Sequence, residues 1–186
     1  MSEDIFPLIK IEKLAKKHNL KSYDFDCSDK DLNEFLLDDA LNQQKKLVAV
    51  THLCFYKEKL IAYFSLCADS IRFDTKDEKM REFRKELIKD GIEYKQVLAL
   101  KIARLAVCRY YQKSEHKIGT NLIKLIFGKA LNLSSDIGCR FVTADVKRTS
   151  MPFYEKLEFK HLLDEKEETE KDYPPLYFDL LHLTSR

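Results

Sequence analysis

Apolar and polar residues along this chain repeat with two different periods, and the places where the period changes mark its elements. Leu47 to Tyr56 and Leu60 to Phe73 are strand-like runs joined by Lys57-Glu58-Lys59, a spacing that predicts an antiparallel hairpin. Val97 to Val107 is a long apolar run and predicts a central strand. From about Lys117 to Asp136 the period lengthens to that of a helix, with Ile118, Leu122, Leu125, Ile126, Ala130 and Leu133 on one stripe and Ile137-Gly138 as the stop. Arg140 to Val146 is apolar again and predicts the next strand. Strand, long helix, strand is a βαβ-like unit, and such a crossover implies two parallel strands in one sheet.

The remaining segments extend this frame. Residues 1–19 read as a polar lead-in with a short amphipathic helix from Ile9 to Lys17, and Tyr23 to Cys27 alternates like a strand. Ser28-Asp29-Lys30-Asp31 matches a capping-box start for a helix with Leu32, Phe35, Leu36 and Ala40 on one face. The charged stretch Asp74 to Asp90 places Met80, Phe83, Leu87 and Ile88 at helical spacing before Asp90-Gly91, so it reads as a surface helix. Thr149 or Ser150 can cap a short helix through Met151–Leu157, with Pro152 in its tolerated first turn. Phe159 to Leu163 begins another strand, Asp164 to Asp172 reads as an acidic loop, and Leu176 to Leu183 closes the sheet. The expectation is one α/β domain over residues 1–186 with a mixed sheet of six or seven strands flanked by helices.

Composition narrows the function classes. Lys and Arg number 33 against 31 Asp and Glu, so the net charge of +2 announces no bulk affinity for nucleic acid. No apolar run approaches the length of a membrane span, and the first residues lack the pattern of a signal peptide; a cytoplasmic protein is expected. The five cysteines are scattered with no CxxC pair, which reads as reduced, buried thiols. The five histidines show no metal-ligand spacing, so no metal is expected, and no Ser-His-Asp or Walker-type pattern occurs.

Two places carry candidate chemistry. The turn between Val107 and Gly119 joins a strand to a helix N-terminus, where unpaired backbone amides and the helix dipole favour an anion such as phosphate. Lys113, His116 and Lys117 add charge or donors there. The other place is Tyr154, on the short helix after the Arg140–Val146 strand; a phenol there could protonate a thiolate leaving group, or could simply pack in the core.

ARLAVCRYYQ, the IGTNLI helix start and MPFYEKLEF together resemble the core of the GCN5-related N-acetyltransferases (GNAT). FDCSDKDLNEFL, AYFSLCADSI and LALKIARLAV resemble the branch of that family containing bacterial toxins that acetylate the amino group of aminoacyl-tRNA. The similarity spans roughly Tyr23 to Leu163. It departs at the family's Q/R-x-x-G-x-G/A loop. Aligned on Gly119, Lys117 stands at the first glycine and Ser114 at the Gln/Arg, and the segment after Gln112 is two residues longer. Glu158 likewise replaces the usual glycine after FYEKL, and the stretch at about 74–91 and the tail at about 164–186 are unlike the toxin branch.

The resemblance implies acetyl-CoA as cosubstrate. Backbone groups of Leu105, Ala106 and Val107 would pair with the pantetheine arm. Ser114, His116, Lys117, Ile118, Gly119 and Thr120 would hold the pyrophosphate, and Tyr154 would act as general acid. No general base is identified. The amine substrate stays open among charged tRNA, a protein amine and a small amine; an antitoxin protein and a homodimer are further partners the family implies. The rival reading is a non-catalytic acyl-CoA-binding or protein-interaction module, for which the altered loop speaks.

Overall fold

The computed structural model describes residues 5–73 and 77–184. In chain order the elements are β1 (Lys10–Lys13), α1 (Lys30–Glu34), a π turn (Phe35–Asp39), α2 (Ala40–Lys45), β2 (Val50–Tyr56), β3 (Lys59–Arg72), α3 (Glu78–Lys89), β4 (Gln96–Val107), α4 (Ile118–Ile137), β5 (Phe141–Asp145), α5 (Met151–Glu155), β6 (Lys160–His161), α6 (Glu165–Thr169), β7 (Pro175–Asp179) and α7 (Leu181–Thr184). Helices flank a mixed seven-stranded sheet in the order β1-β2-β3-β4-β5-β7-β6. Contacts divide the chain into two compact units, Met1–Cys67 with Ile102–Ile126, and Ala68–Lys101 with Phe127–Arg186. Strands β3 and β4 and helix α4 therefore contribute to both.

In the first unit β1, β2 and β3 pair antiparallel, and the β2–β3 turn is made by Lys57 and Glu58, both at positive φ. Two consecutive left-handed residues are the geometry of a type I′ hairpin turn, made here without glycine. The core joins Leu14, Phe35, Leu36, Ala40, Leu53, Tyr63 and Ala106. Two polar links lie inside it. The hydroxyls of Thr51 and Ser65, both fully buried, lie 2.7 Å apart. The Gln44 amide donates to the Leu14 carbonyl and accepts from the Thr51 amide, at 2.6 and 3.1 Å, tying α2 to the start of the sheet.

In the second unit β7 lies between β5 and β6, antiparallel to both. Helix α3 starts at Asp77, whose side chain accepts from the Met80 amide, and stops at Gly91 (φ 81°), where Ile92 and Gly91 donate back to Leu87 and Ile88. Met80 and Leu87 of α3 bury against Ile71, Phe73, Ala99 and Phe141. The apolar stripe expected for this helix is kept by Met80, Phe83 and Leu87, whereas Ile88 is exposed; Asp74, Thr75 and Lys76 lie outside the described residues. So do Ser185 and Arg186 of the tail.

Five expectations change. Ile9–Lys17 is not a helix: Lys10–Lys13 forms edge strand β1, paired with His52–Phe55. Tyr23–Cys27 is not a strand, because Asp24 turns left-handed (φ 48°) and Asp26 gives its carboxylate to the Ser28 amide and to Asn33. Asp164–Asp172 contains a helix, α6, because Asp164 caps it through the Glu167 amide and three glutamates fill its first turn, where the helix dipole favours them. The strand from Phe159 shortens to Lys160–His161, and the last strand to Pro175–Asp179 followed by α7.

The Thr51–Ser65 contact allows a direct test of the first unit. Thr51→Val should destabilise the protein by about 1–3 kcal/mol in urea unfolding, since it strands the buried Ser65 hydroxyl. Thr51→Val combined with Ser65→Ala should recover most of that loss; equal loss in single and double variants would show that the hydroxyl pair is not the cause.

Candidate active site

The first-unit part of the predicted site begins where β4 ends. Gln112 closes that end by donating its side-chain amide to the carbonyls of Val107 (2.8 Å) and Cys27 (2.9 Å). The Cys108 amide donates to the Ile61 carbonyl, and Arg109 pairs with Asp26 at 3.0 Å while its amide donates to the Asp26 carbonyl. These bonds anchor the start of the loop to β3 and to the segment before α1. Ser114 donates its hydroxyl to the Tyr111 carbonyl, and the Lys117 amide donates to the Ser114 carbonyl at 3.1 Å.

Lys117 sits in the left-handed region, φ 46°, at the position where the GNAT loop has glycine. Its carbonyl accepts from the Asn121 amide, which makes it the capping residue of α4. The Lys117 amide is turned inward onto Ser114. The amides at the helix mouth are thus those of Ile118, Gly119 and Thr120, which no carbonyl of their own helix can reach. Asn121 donates its side-chain amide to the His116 carbonyl and fixes the last loop residues against the helix. Lys113 and Lys117 are exposed beside these amides, and Ile118 is buried and holds the helix start in the core. The arrangement suits an anion: oriented amides, the positive end of a twenty-residue helix and two lysines. Leu105, Ala106 and Val107 lie on β4 as the sequence predicts; Ala106 is buried, and the Val107 carbonyl is already engaged by Gln112.

The second-unit part is α5. Pro152 occupies its first turn and Ser150 precedes it as N-cap, without a side-chain capping bond. Tyr154 is buried, its ring edge-on to Phe153 and to Phe159, both at 5.2 Å between centroids. Phe159 in turn packs on Phe127 and Phe178. Burial raises the tyrosine pKa well above its ordinary value, so the phenol keeps its proton at neutral pH. Its hydroxyl has no hydrogen-bond partner among the described residues.

Helix α5 ends in a Schellman turn. The Phe159 amide donates to the Tyr154 carbonyl, the Glu158 amide to the Glu155 carbonyl, and Glu158 stands left-handed at φ 65°. His161 clamps the segment: Nε2 lies 2.9 Å from Glu155 Oε1, and Nδ1 lies 2.8 and 2.9 Å from the two Glu168 carboxylate oxygens.

Sequence reasoning missed two groups. In the second unit, Asp69 of β3, Lys101 of β4 and Asp145 of β5 form a charged row. Lys101 lies 2.6 Å from Asp145 and 3.9 Å from Asp69, which also accepts from the buried Thr143 hydroxyl at 2.7 Å. In the first unit, Arg104 of β4 lies over the Phe35 ring at 4.9 Å. The available signal was the same for both: a charge inside an apolar strand. The cysteines are free and four of the five are buried, and burial pushes the Cys54 thiol up to about 12. An apolar cavity of about 720 Å³ beside Leu98, Leu131 and Leu180 contains none of the predicted site residues.

The strand order and flanking helices give this chain the α/β fold of the GCN5-related N-acetyltransferases. Among solved structures it resembles AtaT complexed with acetyl-methionyl-tRNAfMet, at TM-score 0.75 and 20% identity, covering 95% of this chain and 98% of that one. It also resembles a tyrosine-to-phenylalanine mutant of KacT, at TM-score 0.75 and 17% identity, with 96% and 98% covered. A third likeness is a tyrosine-to-phenylalanine mutant of the AtaT toxin bound to acetyl-CoA and the C-terminus of the antitoxin AtaR, at TM-score 0.72 and 17% identity, with 96% and 99% covered. At these identities the likeness is one of fold. No protein-family model and no curated protein matches the sequence. Among the described residues no helix is long and apolar enough to cross a membrane.

Lys117 and Glu158 both stand where the family this chain resembles has glycine, and both have the left-handed backbone. The left-handed region costs a residue with a Cβ about 1–2 kcal/mol. Glycine escapes that cost but loses about 0.5–1 kcal/mol of chain entropy. Lys117→Gly and Glu158→Gly should therefore each raise the stability by about 0.5–1 kcal/mol, the difference of those terms, seen as a higher urea midpoint at unchanged slope. A lower midpoint for either would mean that its side chain makes a contact worth more than the strain.

Proposed function

We propose that this chain is an acetyl-CoA-dependent N-acetyltransferase that acetylates an amine, the amino group of an aminoacyl-tRNA being the first choice. The observation that carries the reading is the mouth of α4. It keeps the left-handed corner and the outward amides of a phosphate-binding turn although the corner residue is Lys117. A turn kept at the expense of backbone strain argues for a retained ligand. Acetyl-CoA bound to an AtaT mutant, and acetyl-methionyl-tRNAfMet bound to AtaT, support the cosubstrate and the amine substrate. AtaR bound to that mutant supports an antitoxin as the protein partner.

In this reading the amides of Ile118, Gly119 and Thr120, with Lys113 and Lys117, take the pyrophosphate, and backbone groups of Leu105–Val107 other than the engaged Val107 carbonyl take the pantetheine amides. The Ser114 and His116 amides add to the pyrophosphate donors, while the Ser114 hydroxyl and carbonyl are spent within the turn. The amine attacks the thioester carbonyl, the carbon–sulfur bond breaks, and Tyr154 gives its phenolic proton to the departing sulfur. A raised tyrosine pKa keeps that proton in place until the thiolate forms. The amine's own proton leaves to water. Holding amine and thioester together supplies most of the acceleration.

The alternative is an acyl-CoA-binding module without turnover. The inward-turned Lys117 amide favours it, since one phosphate donor is withdrawn. Isothermal calorimetry with acetyl-CoA, followed by transfer assays on methionyl-tRNA, separates the readings. Micromolar, one-to-one binding with turnover is the expected result. Binding without turnover on any amine would favour the module, and no binding at millimolar acetyl-CoA would sink both. Tyr154→Phe should lower kcat by about 10²-fold or more, with acetyl-CoA affinity unchanged; near-normal turnover would remove Tyr154 from the chemistry.

A further inference from the structure

Arg104 projects from the C-terminal third of β4 onto Phe35, the first residue of the π turn. Its Nη1 donates to the Ala103 carbonyl at 2.8 Å. Its Nε is buried and meets no acceptor, and no carboxylate pairs with the guanidinium among the described residues. The other arginines described above are satisfied: Arg109 pairs with Asp26, and Arg140 with Asp179 and Asp90. The floor under Arg104 is rigid. Phe35 stacks on Tyr63 at 6.3 Å and 18° between ring planes, and the Tyr63 hydroxyl donates to the Leu32 carbonyl at 2.7 Å. Stacking on an aromatic face orients a guanidinium and leaves its edge donors to form a planar fork.

A half-buried cation without a counter-charge is unfavourable unless something anionic completes it. The π turn beneath it is a second irregularity, since π turns are rare and concentrate at functional sites. We infer that Arg104 is the residue that grips the amine substrate, through an oxyanion carried near the reactive amine; for a charged tRNA this is a phosphate of the 3′-terminal nucleotides. The cosubstrate needs nothing from it, because the proposed pyrophosphate and pantetheine contacts are the α4 amides, the loop amides and lysines, and the backbone of Leu105–Val107. The inference deepens the acetyltransferase reading and rests on it.

The experiment uses the full chain, with methionyl-tRNA and acetyl-CoA as separate probes, on wild type, Arg104→Gln and Arg104→Lys. A charge-assisted hydrogen bond converts to about 10- to 100-fold in affinity. Arg104→Gln should lose that much tRNA affinity and flatten the log–log salt dependence by about 0.7, the slope of one phosphate contact on a single strand. Arg104→Lys, which keeps the charge and loses the fork, should fall between; if the glutamine variant does not fold, the lysine variant decides by losing at least about threefold. Acetyl-CoA affinity should stay within about twofold of wild type in both, since neither variant touches its proposed contacts. Unchanged tRNA binding in the variants would overturn the inference and leave the acetyltransferase reading standing. Loss of acetyl-CoA affinity instead would assign the fork to the cosubstrate's own phosphates and overturn it as well. Wild type that binds acetyl-CoA but not tRNA would refute this inference alone, whereas wild type that binds no acetyl-CoA would remove the reading beneath it.

Discussion

A two-residue hairpin turn of the primed type, or a left-handed helix stop, puts residues at positive φ, and this chain has only four glycines for the purpose. Eight other described residues adopt that conformation, among them Leu47 after α2, Lys57 and Glu58 in the β2–β3 turn, Lys117 before α4 and Glu158 after α5. Much of the architecture depends on these corners. The β2–β3 register is set by the Lys57–Glu58 turn. The direction of α4 out of its loop is set at Lys117, and the return of the chain from α5 to β6 at Glu158. At Leu47, Lys117 and Glu158 the backbone path is thus held by hydrogen bonding rather than by the freedom of glycine. Leu47 shows the same economy: its amide and that of Val48 donate to the Gln44 and Gln43 carbonyls, closing α2 with a residue that is itself 92% exposed.

This explains which parts of the fold were legible in the residues. The long apolar runs became β2, β3, β4 and β5, and the 3.6-residue stripe became α4, because each buries enough side chain for its period to dominate. The short segments were misread where local polar bonds outweigh periodicity. Lys10–Lys13 carries only two partly buried residues, Ile11 and Glu12, and takes its strand form from pairing with β2, a non-local partner that no window contains. Tyr23–Cys27 alternates as a strand would, yet its Asp26 satisfies Ser28, Asn33 and Arg109 and holds the backbone irregular. The acidic run after Asp164 looks like a loop by composition, and a single capping aspartate turns it into α6. That β7 enters between β5 and β6 is a matter of register across the sheet, invisible to any local pattern.

The candidate site divides along the same line. Tyr154 and the α4 mouth stand on motifs, so sequence could point to them. What sequence could not supply was how each is held: the Gln112 bridge between Val107 and Cys27, the inward Lys117 amide, and the His161 clamp between Glu155 and Glu168. Each joins residues distant in sequence or depends on one backbone torsion. Asp69, Lys101 and Asp145 illustrate the limit. Each is a lone charge in an apolar strand, and only sheet adjacency turns three exceptions into one row.

Charge completes the argument. The 33 basic and 31 acidic side chains nearly cancel, so long-range attraction would not be what selects the anionic substrate proposed above. Most exposed pairs settle locally, as Glu12 does with Lys10 and Lys17, and pairs of that kind contribute little to affinity or stability. Selectivity for an anion must then come from the few cations whose charge is not answered nearby and whose donors are held in a fixed direction. Lys113 and Lys117 meet the first condition only, as exposed charges at a helix mouth with no hydrogen bond to their ammonium groups among the described residues. Arg104, seated on Phe35 and bonded to Ala103, meets both, and the aromatic floor that holds it belongs to the turn where the α1–α2 helix departs from α geometry. An irregular helix is thereby tied to an oriented guanidinium, and that pairing makes the π turn intelligible as part of a binding surface rather than as a packing accident.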